Sequence, residues 1–165
     1  MGDQRVIGYS QSHKLKPMDF EHFMHLALEE AKTAGDEVPV GAVLVGPDGS
    51  ILSSGHNLRE ATSDPTSHAE IEVIRAATAS QGDWRLEGAT LFVTLEPCIM
   101  CAGAILASRV SRVVFGAWDE KLGGSGSLYD LLRDPRFGRP VEVVSGVLEV
   151  ECTAVLKEFF ASRRA

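Results

Sequence analysis

Two short clusters thirty positions apart, His68-Ala69-Glu70 and Pro97-Cys98-Ile99-Met100-Cys101, restrict the folding of this chain more than any other feature. They hold three side chains of metal-ligand type, His68, Cys98 and Cys101, and one carboxylate, Glu70. Zinc in catalytic sites takes three protein ligands and keeps its fourth position for water. A fold that uses these residues together must therefore bring the two segments to one point, with Glu70 left over to handle protons.

The spacing says how that can happen. Residues two apart do not share a lateral helix face, because neighbours on a face lie three or four apart. His68 and Glu70 can still reach one ion from the first turn of a helix whose N-terminus aims at it. Asp64-Pro65-Thr66-Ser67 is a turn-and-cap run, and Ile71, Ile74, Ala77 and Thr78 follow at helical spacing. Cys98 and Cys101 repeat the pattern: they follow the strand-like Thr90–Glu96 and Pro97, and open the apolar run 102–107. A helix N-terminus lowers thiol pKa values and so favours the thiolates that bind zinc. Plainer readings exist for each half. Ser67-x-x-Glu70 fits a capping box, in which Glu70 only satisfies a backbone N–H. Cys-x-x-Cys alone suits a redox pair or half of a structural zinc site. Structural sites close with four ligands, however, and three are visible here beside a free carboxylate.

With 165 residues the chain reads as one domain, with Met1–Pro17 as a polar, mobile leader and residues 18–165 as the folded unit. No apolar run approaches the roughly 18 residues a membrane span needs. Three cysteines, two of them candidate ligands, point to a reducing compartment. The third, Cys152, sits in the helical pattern Leu148, Cys152, Val155, Leu156, Phe159 and reads as core. The net charge of −7 opposes nucleic-acid binding as a sum, so its distribution decides. Residues 19–37 hold six acids against Lys32, whereas Arg109, Arg112, Lys121, Arg133, Arg136 and Arg139 outnumber the acids of residues 109–139. Arg163 and Arg164 add to the basic C-terminus.

Hydrophobic periodicity predicts a helix from Asp19 that carries Phe20, Phe23, Ala27, Leu28 and Ala31 and stops at Gly35. Val40–Val45 and Ile51–Ser54 read as a hairpin, and a loop through Asn57 leads to the His68 helix. After the Cys98 helix come a strand at Arg112–Ala117 and a tight or flexible loop at Gly123-Gly124-Ser125-Gly126-Ser127. Leu128–Leu132, a last strand at Val141–Val144 and an amphipathic helix at Glu149–Ser162 complete the chain. The alternation argues an α/β layer structure with helices on both sheet faces.

The order His-x-Glu, then Pro-Cys-x-x-Cys, is the known signature of zinc deaminases that act on bases. Together with Val38-Pro39-Val40-Gly41-Ala42-Val43, Thr94-Leu95-Glu96, Ala102-Gly103-Ala104, Arg112-Val113-Val114-Phe115-Gly116-Ala117 and Gly126-Ser127-Leu128, it makes residues 18–164 resemble the bacterial tRNA-specific adenosine deaminases. These belong to the cytidine-deaminase superfamily, and the run Val114 to Leu128 with the ending Phe159-Phe160 is similar to the tRNA branch in particular. The resemblance implies a three-layer α/β/α fold on a five-stranded mixed sheet, one zinc ion per subunit, a homodimer in the cytoplasm, and conversion of a wobble adenosine to inosine in a tRNA anticodon loop. It further implies His68, Cys98 and Cys101 as ligands, Glu70 as the proton carrier, Asn57 on the target nucleoside and Asp119 beside it. Lys121, Phe160, Arg163 and Arg164 fall where the family handles the anticodon stem-loop. Phe137-Gly138-Arg139-Pro140 replaces an Asn-His pair frequent in the family, and Leu122 stands where a small or polar residue is common. The rival reading is a deaminase of free guanine, cytosine or a nucleoside, which needs the same zinc site but no RNA groove.

Overall fold

The computed structural model describes residues 17–164, so the expected leader lies outside the described residues except for Pro17. Helix α1 spans Phe20–Lys32, where Asp19 caps it by accepting the His22 N–H at 3.0 Å. Met24, Ala27, Leu28 and Ala31 form its buried stripe, and Phe20 and Phe23 pack on the Phe92 ring. Strands β1 (Gly41–Val45) and β2 (Ile51–His56) form the expected hairpin. Pairing starts at Gly41, where α1 crosses so closely that a Cβ would run into the Ala27 carbonyl.

A one-turn helix, α2 (Arg59–Thr62), occupies part of the expected loop between Asn57 and His68. The buried Glu37 carboxylate accepts the Glu60 and Ala61 N–H groups at 2.8 and 2.9 Å and holds this turn in place. That tie spans more than twenty residues, and local periodicity carries no sign of it. Helix α3 follows at Ala69–Gln81, then β3 (Thr90–Leu95), α4 (Ile99–Ala107) and β4 (Arg112–Ala117). No strand or long helix forms at 128–132, although Leu132 is fully buried. A 3-10 turn at Pro135–Phe137 precedes β5 (Glu142–Val144) and α5 (Glu149–Ser162).

The sheet has five strands in the order β2-β1-β3-β4-β5; β1 is antiparallel to β2 and β3, and β3-β4-β5 are parallel. Side chains alternate across it as pleating demands. Ala42, Leu44, Leu91, Val93, Val113 and Phe115 face the core beneath α3 and α4. Val43, Val45, Phe92 and Val114 face α1 and α5 on the other side. Both faces are covered, which explains why β1, β3 and β4 read as nearly unbroken apolar runs. The expected three-layer α/β/α arrangement on a mixed sheet is the one found. No helix among the described residues is long and apolar enough to cross a membrane.

Cys152 lies on α5 against β4, where it is sealed from solvent and a Cβ at Gly116 would strike its sulfur. Burial pushes its thiol up to about 12, so it stays protonated and unreactive at neutral pH. Cys152→Ser is expected to cost about 1–3 kcal/mol, because a more polar hydroxyl replaces a thiol in a sealed site where the Ala117 backbone is its polar contact, and to leave metal content and turnover unchanged. Urea unfolding, read beside zinc content, checks both halves; an emptied metal site in this variant would contradict the assignment of Cys152 to the core.

Candidate active site

The carboxyl ends of parallel strands are the usual place for ligands in open α/β sheets. Here the end of β3 delivers Glu96, Pro97 and Cys98, and Cys98 is the N-cap of α4. His68 occupies the equivalent position on α3. Neither helix start carries a side-chain cap bond, so both candidate ligands stand where a capping side chain would otherwise act. The alternative reading of Ser67 and Glu70 as a capping box is not realised. The Ser67 hydroxyl instead accepts from Thr62 Oγ1 at 3.1 Å, and the helix begins one residue later than that box requires.

His68 Nδ1 lies 3.7 Å from Cys98 Sγ and 3.4 Å from Cys101 Sγ, and the three donor atoms all fall within 4.8 Å of one another. A tetrahedral zinc ion, at about 2.0–2.1 Å from nitrogen and 2.3 Å from sulfur, sets its donors roughly 3.5–3.8 Å apart. One imidazole and two sulfurs at these separations therefore fit zinc in both chemistry and spacing. Cys101 is fully buried, while His68 and Cys98 are half-buried, so the cluster opens to one side. The Cys101 thiol and the His68 ring both hydrogen-bond Cys98, holding its thiol down to about 4. In return the Cys98 contact raises His68 and drives the buried Cys101 thiol up. One thiolate is thus favoured before any cation contributes.

Glu70 is the fourth member and differs in kind. Its carboxyl is buried beside Cys101, but it is not among the residues whose donor atoms cluster tightly enough to hold one ion. Burial pushes this carboxyl up to about 7, the range in which a group both takes and gives a proton near neutrality.

Asn57 is buried at the end of β2, where its N–H donates to the Val40 carbonyl at 3.1 Å. Asp119 organises its own turn: its carboxylate accepts the Lys121 and Leu122 N–H groups at 3.0 and 3.1 Å. Lys121 is exposed and forms no ion pair among the described residues. Phe160 is exposed at the end of α5 and packs edge-on against Phe159, 5.3 Å between centroids. Arg163 lies 4.3 Å over the Phe159 ring and donates to the Asp36 carbonyl at 2.7 Å. Arg164 lines a shallow hollow on α5 with Lys157 and Phe160. The basic stretch of residues 109–139 is largely satisfied from within. Arg109 pairs with Glu87, the buried Arg112 with Glu142, Arg133 with Asp130 and Arg136 with Asp134.

Sequence reasoning placed Glu96 only as the end of a strand. In the structure it is a buried acid two residues before the candidate ligand Cys98, and its carboxylate accepts three backbone N–H groups. The one local sign was an acid closing an otherwise apolar strand directly before Pro97.

Residues 18–117 match the cytidine and deoxycytidylate deaminase zinc-binding region. The tRNA-specific adenosine deaminase of Bacillus subtilis (strain 168) is 55% identical over 87% of this chain and 90% of that protein. The enzyme of the same name from Haemophilus influenzae is 49% identical over 87% of this chain and 84% of its own length. A solved structure from work on A-to-I editing by tRNA:A34 deaminases superposes with a TM-score of 0.78 at 47% identity, covering 82% of this chain and 99% of that one. A guanine deaminase from Nitrosomonas europaea shares the fold, with a TM-score of 0.77 at 23% identity. The chain belongs to the zinc-binding cytidine and deoxycytidylate deaminase family and, within it, groups with the tRNA-specific adenosine deaminases.

Proposed function

We propose that this protein hydrolyses the wobble adenosine of a tRNA anticodon loop to inosine, releasing ammonia. The observation that carries the reading is a three-donor cluster of zinc type with a buried carboxylate beside it and outside it. His68, Cys98 and Cys101 would hold one zinc ion per subunit, which when bound brings the pKa of water down to about 7. Every remaining step falls to side chains. Glu70 accepts the proton of the water that adds to C6 of the adenine and passes it to the ring nitrogen N1. Glu70, again a carboxylate, then takes the proton of the new C6 hydroxyl and delivers it to the 6-amino group, so that the C6=O of inosine forms as the C6–N bond breaks and ammonia leaves. Asn57 hydrogen-bonds the nucleoside, and Asp119 lies beside its sugar. An anticodon loop is single-stranded, so turning out one base costs less than in a duplex.

The protein works on this reading as one deaminase domain from residue 18, in the cytoplasm, where Cys98 and Cys101 stay reduced to hold the metal and Cys152 stays a thiol. Exposed Ile99 and Met100 on the first turn of α4, with Leu122, Leu128 and Tyr129 in the following loop, support a homodimer. An apolar patch of this kind suits a second copy of the chain.

Inosine formation on anticodon stem-loops, assayed beside free guanine and cytosine, tests the proposal; turnover of a free base with stem-loops untouched would reject it. Salt gives an independent check. Lys121, Arg163 and Arg164 would displace counterions from phosphates, each contributing about −0.7 to the log–log slope of affinity against salt. The Arg163–Asp36 pair is exposed, and such pairs hold by at most about 1 kcal/mol, so phosphate can replace the acid. Lys121→Ala and Arg164→Ala are each expected to flatten the slope by about 0.7 while zinc content stays the same. A reaction insensitive to salt would argue against RNA.

A further inference from the structure

We propose that Glu96 is a positioning residue: its buried carboxylate clamps the 119–127 loop against the start of α4 and so sets Asp119 and Lys121 relative to the zinc ligands. The inference rests on the assignment of substrate contacts to that loop.

Glu96 is 2% exposed, yet its acceptor capacity is well used. Oε2 accepts the Asp119 N–H at 3.0 Å, and Oε1 accepts the Ser125 and Ser127 N–H groups at 3.1 and 3.0 Å. The three donors come from both ends of one loop, so this side chain joins them, beside the Ser127 hydroxyl, which donates to the Asp119 carbonyl at 2.7 Å. The loop is then tied to the metal-bearing backbone itself: Gly124 N–H donates to the Pro97 carbonyl at 2.8 Å, and Gly123 pairs with Cys98 in an isolated bridge. Packing leaves no slack on this side. A Cβ at Gly124 would lie 2.9 Å from Ile99 N, and one at Gly123 would lie 2.5 Å from the Glu96 carboxyl carbon. From this frame the Asp119 carboxylate holds the Lys121 and Leu122 amides, which presents the Lys121 side chain outward. A buried charged acceptor with three N–H donors is a strong, directional tie. Its removal leaves three amides without a partner, whereas His68, Glu70 and Cys101 keep their places on α3 and α4 through their own packing.

Two kinds of variant pull on the clamp from opposite sides. Glu96→Ala removes all three bonds. Glu96→Gln can keep its carbonyl on Ser125 and Ser127 but turns an N–H₂ toward the Asp119 N–H, a donor facing a donor. Gly123→Ala leaves Glu96 intact and wedges the loop away from it. Hydrogen exchange on zinc-loaded protein, without substrate, is expected to lose protection at Asp119, Ser125 and Ser127 in Glu96→Ala, and chiefly at Asp119 in Glu96→Gln. With stem-loop substrate, Glu96→Ala and Gly123→Ala should raise KM about tenfold or more and change kcat less, since ångström-scale misplacement costs up to about 10²-fold. Zinc content should stay at one per subunit, and Glu96→Gln should recover part of the KM loss. Loss of amide protection with kcat/KM unchanged would overturn the inference, as would loss of zinc in Glu96→Gln and Gly123→Ala. If Glu96→Ala does not fold, those two variants decide the matter by the same measurements. Wild-type protein inactive on stem-loops but with the three amides protected would reject the substrate reading and leave the clamp standing as loop architecture only, which overturns its positioning role.

Discussion

Glu70→Ala is expected to bind zinc normally and to lose about 10²–10⁴-fold or more in kcat, the range that general acid–base catalysis supplies. The donor atoms that cluster for the ion are those of His68, Cys98 and Cys101, so deleting a carboxylate beside them removes no ligand. The proton route, by contrast, has no substitute among its neighbours. Cys101 is the buried group beside Glu70, and it would be committed to the metal. Glu70→Gln sharpens the test, because it keeps volume and one carbonyl while abolishing proton transfer. Burying an acid there is costly, as its raised pKa shows, so neither variant should be less stable by more than the cavity it leaves. Zinc analysis and single-turnover kinetics on stem-loops check both halves. A Glu70→Gln protein without zinc would make Glu70 a ligand and end the proposed division of labour.

Cys101→Ala should fail differently, losing the metal, all measurable turnover and part of the fold together. Cys101 is a fully buried donor on the first turn of α4, and the metal would be the shared anchor of two helix starts that have no other side-chain cap. Ligand binding to the native state stabilises it by mass action, about 2.7 kcal/mol when free zinc is a hundred times its Kd. That contribution disappears with the ligand, and a small cavity adds to it. Cys98→Ala should empty the site as well, with less direct damage to the core because Cys98 is only half-buried. Chelation of the wild-type protein should reproduce the metal-dependent part of the loss and not the cavity part. Thermal melts with and without chelator separate the two. A Cys101→Ala protein that retains one zinc per subunit would show that the His68, Cys98 and Cys101 cluster is not the binding site.

The elements that local pattern could define were legible before folding. The helix start near Asp19, the apolar stripe of α1, the hairpin around 46–50 and the strands at Thr90 and Arg112 all depend on residues within one turn or one pleat of each other. The His68, Cys98 and Cys101 cluster was legible on other grounds, because ligand chemistry narrows the residue types and two helix starts are the simple way to aim them. Shifts at the edges had particular causes. The strand proper begins at Gly41, with Val40 still accepting the Asn57 N–H, and the Ser67 box is absent because His68, not Ser67, is the N-cap.

What the sequence by itself determined was therefore the candidate ligands and the order of the layers: which residues can gather around a metal and which runs must be buried on both faces. Tertiary structure decided how the rest of the site is held. Glu37 fastens α2 from more than twenty residues away, Glu96 gathers three amides from a loop more than twenty residues downstream, and acids near and far occupy much of a stretch that reads as basic. The physical reason is the same in each case. A buried carboxylate or an exposed arginine is assigned its partner by which backbone amides and acids the fold brings within hydrogen-bond distance, and no periodicity in the chain records that distance.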